Sequence, residues 1–255
     1  MAGILHLADL PPRSDIWRGD SIATPSLPGI ASGFAALDAE LPGGGWPAGA
    51  LTEIYPEVEG IGEFSLLAPA LARLAIDDKW IACIAPPHLP YAPALAALGI
   101  DLSRLLVVRT RSRAETLWAT RQSIASRACS AVLCWLAGAD MPSLRRLQLA
   151  AESSPVMAVL FRPSSEARQA SPAALKLQLA SRLDGLALRI LQRRGAPLAA
   201  PIVLPQLQCT ARALPHLASH LASNPASSEL AHDDLAGTPS ARPAAAGLHA
   251  CRACR

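Results

Sequence analysis

From residue 51 to residue 65 the chain has the layout of a phosphate-binding loop, but not the residues that make such a loop work. A short apolar run at 51–55 passes into Pro56-Glu57-Val58-Glu59-Gly60-Ile61-Gly62-Glu63-Phe64-Ser65, and then Leu66, Leu67, Leu71 and Leu74 fall on one helical face. Strand, glycine-containing loop and helix is the arrangement whose backbone amides hold a phosphate at a helix N-terminus. Such a loop opens on Gly and closes on Gly-Lys and then Ser or Thr, the lysine meeting the phosphates and the hydroxyl the magnesium. Counted back from Gly62, the opening position holds Glu57; the lysine position holds Glu63 and the hydroxyl position Phe64. A cation has become an anion, and a metal ligand has become a phenyl ring. Gly60 and Gly62 are left to make a strand-to-helix turn. No nucleotide cofactor and no hydrolysis are expected, and an active ATPase with displaced motifs is the competing reading.

The other residues able to do chemistry point to little of it. Cys83 and Cys134 sit in apolar runs, where a thiol behaves as a small hydrophobe. Cys251 and Cys254, with His249 nearby, have the gap of a zinc knuckle but no second pair, so no metal site is expected. His88, beside Pro86, Pro87 and Pro90, reads as a loop residue rather than a general base. Basic side chains cluster at Arg109, Arg111, Arg113, Arg121 and Arg127, and again at Lys176, Arg189, Arg193 and Arg194. A net charge of +3 is too small to imply nucleic-acid binding. Aromatics interleaved with the cations, the stacking platform of single-strand binders, are scarce. These cations read as solvated faces, a dock for an acidic protein patch, or DNA contacts, in that order. Residues 1–20 lack a basic cluster followed by an apolar run, and no apolar stretch reaches the roughly 18 residues of a membrane span, so a cytoplasmic protein without disulfides is expected.

The elements that must position these residues follow from hydrophobic patterning. Nearly continuous apolar runs at 50–55, 80–85, 105–109, 131–136 and 156–161 read as strands buried on both faces of a parallel sheet. Helical spacing lies between them, with Leu117, Trp118, Ile124 and Ala125 expected to face inward, and Asp140 placed to cap a helix that buries Leu144 and Leu147. Strand and helix alternate, which predicts helices on both faces of the sheet. Leu175, Leu177 and Leu179 then alternate with polar residues, as do Leu186, Leu188 and Ile190, around an Asp184-Gly185 turn; this predicts a C-terminal antiparallel hairpin. Pro42 to Pro47, with Gly43, Gly44 and Gly45, must be a turn-rich loop. The predicted organisation is an irregular lead-in at 1–28, an α/β domain at 29–200, and a tail at 201–255. From about Gln206 that tail is too Ala-, Ser- and Pro-rich to offset its ordering entropy, apart from a transient helix at 211–222.

The segments Gly33-Phe34-Ala35-Ala36-Leu37-Asp38, Gly43 to Gly45, Pro47, Gly49 and Leu51-Thr52-Glu53-Ile54-Tyr55 resemble the start of the RecA ATPase core. Leu98-Gly99-Ile100-Asp101 and the two runs that follow it keep RecA-like order. The resemblance implies a degenerate RecA-like domain with a mostly parallel sheet. It also implies that Pro87 stands where a carboxylate would position the attacking water, and that Trp135 stands where an Asp would bind metal. By a looser alignment Arg162 replaces the glutamine that senses the γ-phosphate, and Arg162 with Arg168 brackets the segment where RecA carries a DNA-contacting loop. Within this superfamily the chain resembles ImuA, the accessory protein of bacterial mutagenic translesion synthesis. The likeness lies in Ile16-Trp17-Arg18-Gly19, residues 33–55, 85–91 and 145–152, Leu160-Phe161-Arg162-Pro163, Arg168-Gln169 and Ser171-Pro172. It implies action with an ImuB-type polymerase-like protein, an error-prone DNA polymerase and RecA itself. Arg162, Arg168, Lys176, Arg189, Arg193 and Arg194 are the candidate partner or DNA contacts. SulA, the damage-induced inhibitor of cell division, is the related alternative, disfavoured by the glycine-rich stretch at 33–49.

Overall fold

The computed structural model describes residues 29–74, 78–193 and 200–205. Among the described residues are five α-helices: α1 (Ala35–Asp38), α2 (Glu63–Leu74), α3 (Ala92–Ala97), α4 (Arg113–Ala125) and α5 (Met141–Glu152). Eight strands are β1 (Ala50–Pro56), β2 (Trp80–Ile84), β3 (Leu105–Val108), β4 (Cys129–Trp135), β5 (Met157–Phe161), β6 (Leu175–Arg182), β7 (Gly185–Gln192) and β8 (Ile202–Leu204). They form one sheet in the order β3-β2-β4-β5-β1-β6-β7-β8. β3 through β6 in that order run parallel, β7 pairs antiparallel with β6, and β8 antiparallel with β7. This is the mostly parallel α/β sheet that the patterning predicts, hairpin included. The lead-in at 1–28, with the Ile16 to Gly19 motif, lies outside the described residues, as do Arg194, the 211–222 helix, Cys251 and Cys254.

Helices cover both faces because the strands alternate in what they bury. Ala131 and Leu133 of β4, with Met157 and Val159 of β5, pack beneath Leu66, Leu67 and Leu71 of α2. Val132, Cys134, Ala158 and Leu160 point the other way, to Ala119 and Ile124 of α4 and to Leu144, Leu147 and Ala151 of α5. Burying one such aliphatic side chain contributes about 1.5–3 kcal/mol. α4 starts on a reciprocal cap: Ser112 Oγ accepts from the Glu115 amide at 3.2 Å, and Glu115 Oε2 accepts from the Arg111 amide at 2.8 Å. Asp140 caps α5 as expected, accepting from the Ser143 amide at 3.0 Å. The glycine run is a close approach of two backbones. Ile30 bridges Trp46, and a Cβ on Gly45 would lie 2.1 Å from the Ile30 carbonyl oxygen.

Three expectations need correction. α4 turns Thr116, Ala119, Thr120 and Ile124 inward, while Trp118 is 67% exposed and Ala125 is exposed. The threonines can be buried because their hydroxyls donate to the Ser112 and Thr116 carbonyls at 3.0 and 2.7 Å. β3 is an edge strand, only partly covered, rather than buried on both faces. The sheet also continues past residue 200: Ile202, Val203 and Leu204 pair with Leu188, Ala187 and Leu186, so the first residues assigned to the tail belong to the domain.

Candidate functional site

The loop after β1 is closed by its own side chain. Glu57 donates its amide to the Leu179 carbonyl at 2.9 Å, tying the loop's start to β6. At the far end Glu63, the first residue of α2, turns its carboxylate back: Oε1 accepts from the Gly60 amide at 2.8 Å and Oε2 from the Gly62 amide at 3.1 Å. Glu63 is 5% exposed. The carboxylate therefore takes two of the loop's amide donors and sits at the positive end of a twelve-residue helix, where an anion is favoured. Gly62 has φ +123°, and a Cβ there would press to 3.2 Å from the Leu186 methyls of β7, so the tight turn requires glycine. Glu57 and Gly60 are exposed.

Phe64 and Trp135, the positions matched to a metal hydroxyl and a metal carboxylate, come together. Their rings lie 5.8 Å apart between centroids, and Trp135 stacks on Phe161 at 4.7 Å and 25°. Two aromatic rings thus converge here, an arrangement worth about 0.5–1.5 kcal/mol per aromatic pair beyond burial. Trp135 and Phe161 line a cleft of about 390 Å³ at the C-terminal ends of the parallel strands. Its walls include Glu57, Val58, Pro87, Trp135, Phe161 and Arg162. His88 is exposed in the loop after β2, as expected of a loop residue.

Arg162 and Lys176, expected as partner or DNA contacts, are buried instead and spent on internal bonds. Arg162 NH1 meets Glu53 Oε1 at 3.0 Å, and NH2 and Nε meet Glu166 Oε2 at 2.6 and 3.0 Å. Glu53 Oε2 accepts from the Tyr55 hydroxyl at 2.6 Å, and Glu166 Oε1 accepts from the Gly138 amide at 2.8 Å. Lys176 Nζ donates to the carbonyls of Ala167 and Gln169 at 2.9 and 2.7 Å, and lies 5.5 Å from the Tyr55 ring centre. Burial works against the Arg162 charge, yet the Glu53 and Glu166 carboxylates outweigh it and hold the guanidinium above its ordinary range. Burial pushes the Lys176 ammonium down, with Glu53 opposing. Burial and the Glu53 carboxylate push the Tyr55 hydroxyl up. Two carboxylates and two cations thus lock β1, β6 and the turn after β5 together. Glu53, Tyr55 and Glu166 escaped sequence reasoning; the available signal was an acid inside a strand buried on both faces. Arg168 and Arg189 are exposed, while Arg193 pairs with the Glu40 carboxylate at 2.9 Å.

No family model matches the chain. Over 135 residues it is 33% identical to ImuA of Caulobacter vibrioides, covering 49% of this chain and 53% of that protein. Over 98 residues it is 29% identical to the cell division inhibitor SulA of Edwardsiella piscicida, covering 38% and 58%. A RecA of Chlorobaculum parvum is 36% identical over 101 residues, covering 39% and 28%. The chain thus spans about half the length of the curated relatives it matches first. Among solved structures, SulA from Pseudomonas aeruginosa aligns over 46% of this chain and 99% of its own, at a TM-score of 0.38 and 23% identity. Over part of its length the chain is thus similar in sequence to ImuA, SulA and RecA. No helix among the described residues is long and apolar enough to cross a membrane.

Proposed function

We propose that the chain is a non-catalytic accessory protein of the RecA-like class that serves damage-induced mutagenic DNA synthesis in the cytoplasm. One observation carries the non-catalytic part: the Glu63 carboxylate sits on the Gly60 and Gly62 amides, where a phosphate would have to go. A triphosphate arriving there meets a buried negative charge. Two like charges about 4 Å apart repel by roughly 1 kcal/mol in water and about 4 kcal/mol at an effective dielectric near 20. Phe64 and Trp135 themselves offer no oxygen to hold magnesium, and Pro87 has no side-chain group to accept a proton from water. A RecA-like frame of this kind retains surfaces for partners without turnover. The likeness to ImuA supports the cellular role, with an ImuB-type polymerase-like protein, an error-prone polymerase and RecA as the proposed partners. Arg168 and Arg189 remain candidates for contact with them.

The likeness to SulA supports a second reading, inhibition of cell division. A deletion strain separates the two. Under the accessory reading, damage-induced mutation frequency falls on deletion while growth continues, and overproduction leaves cells dividing. Filamentation on overproduction with unchanged mutation frequency would overturn it in favour of division control.

A further inference from the structure

The groove between α4 and α5, on the face of the sheet away from α2, has no partner among the described residues and has the form of a helix dock. On α4, Ala114, Leu117, Trp118 and Arg121 follow the i, i+3, i+4, i+7 spacing of a single stripe; Ser143, Arg146 and Leu147 of α5 form the opposite wall. Together they line a mostly apolar hollow of about 280 Å³. A second hollow of about 430 Å³ runs on from it toward the start of the two helices, sharing Ala114, Leu117 and Ser143. Trp118 stands 67% exposed beside the groove, whereas α4 buries Thr116, Ala119, Thr120 and Ile124. An indole so exposed contributes nothing to this chain's own core, whereas Trp and Arg are the residues that anchor interfaces. Neither Arg121 nor Arg146 belongs to an ion pair among the described residues.

We infer that this groove binds an amphipathic, acidic helix of a partner protein. Two parallel ridges with a trough between them accept a third helix whose apolar residues recur at i, i+3 or i+4, and i+7. The trough takes the aliphatic anchors, Trp118 closes over one side, and partner carboxylates meet Arg121 and Arg146. Nucleic acid fits less well. The trough offers one aromatic rather than the series of stacking platforms that single strands use. The inference deepens the accessory reading and rests on it for its cellular meaning.

The test uses the full chain and two fluorescein-labelled helical peptides, each with leucines at the stated spacing, one flanked by glutamates and the other by lysines. Fluorescence anisotropy should show the glutamate peptide binding more tightly than the lysine peptide. Trp118→Ala should weaken that binding about tenfold, a usual loss for an interface anchor. The double change Arg121→Glu with Arg146→Glu should invert the preference toward the lysine peptide. All of these side chains are exposed, so circular dichroism should be unchanged and loss of binding is not loss of fold. Equal binding of both peptides, or binding indifferent to Trp118→Ala, overturns the inference. So does a single-stranded oligonucleotide that displaces the glutamate peptide, or self-association of the chain abolished by Trp118→Ala. These readouts do not involve mutation frequency, so the groove and the cellular role fail separately.

Discussion

Replacing Glu63 with Gln keeps the length of the side chain that closes the loop and removes its charge. The carboxylate accepts two amides, from Gly60 at 2.8 Å and Gly62 at 3.1 Å. A hydrogen bond to a charged group contributes about 1.5–3 kcal/mol and a neutral one about 0.5–1.5 kcal/mol, so the oxygen that Gln retains loses about 1–1.5 kcal/mol. The other position becomes an NH2 facing an N–H; that bond is lost whole, another 1.5–3 kcal/mol or so. Loss of the anion at the α2 N-terminus adds roughly 0.3–1 kcal/mol. Gly60 is exposed and can recover its bond with water, which returns part of the sum. The expected net destabilisation is about 2–4 kcal/mol. Urea unfolding followed by tryptophan fluorescence measures it, through a lower midpoint at unchanged slope. Glu63→Lys should be worse, because an ammonium has no acceptor in that nest. A Gln variant within about 0.5 kcal/mol of the parent, the range of ordinary surface changes, would refute the reasoning that the carboxylate holds the loop shut.

Two further outcomes follow from the buried groups. Arg162→Met strands the Glu53 and Glu166 carboxylates and should cost about 3–5 kcal/mol, whereas Arg168→Met on the surface should change stability by no more than about 0.5 kcal/mol; the same urea titration compares them. Burial pushes the Cys83 and Cys134 thiols up to about 12. The unfolded chain releases those protons near pH 9, so their contribution is fully present below pH 9 and lost as the pH rises toward 12. The loss is about 4 kcal/mol per thiol at full titration. Tyr55, also raised, acts in the same direction, and Lys176, lowered, acts against it. Thermal melts between pH 8 and pH 11 should show falling midpoints, and Cys83→Ala with Cys134→Ala should flatten that fall.

Much of the sheet was legible because strands buried on both faces are written as unbroken apolar runs, and because the leucines at 175, 177 and 179 alternate up to an Asp-Gly turn. β8 was not legible: Ile202, Val203 and Leu204 lie between two prolines in an Ala- and Pro-rich stretch, too short to stand out. Trp118 was misplaced because periodicity weighs hydrophobicity, whereas a helix lying close on a sheet takes the small Ala119 and the two threonines, Thr116 and Thr120, whose hydroxyls bond within the helix. The burial of Arg162 depends on Glu53, 109 residues away, and no local pattern carries that separation. At the loop, the residue types of Glu63 and Phe64 led to the expectation that no nucleotide binds. Where they go instead, onto the Gly60 and Gly62 amides and against Trp135, required the fold.

Titration calorimetry of the full chain with ATP and magnesium, run beside a phosphate-release assay, tests the closed-loop account most directly. The account predicts no heat beyond dilution up to millimolar ATP and no phosphate release above the protein-free rate. Micromolar affinity, or turnover abolished by Gly62→Ala, would contradict it.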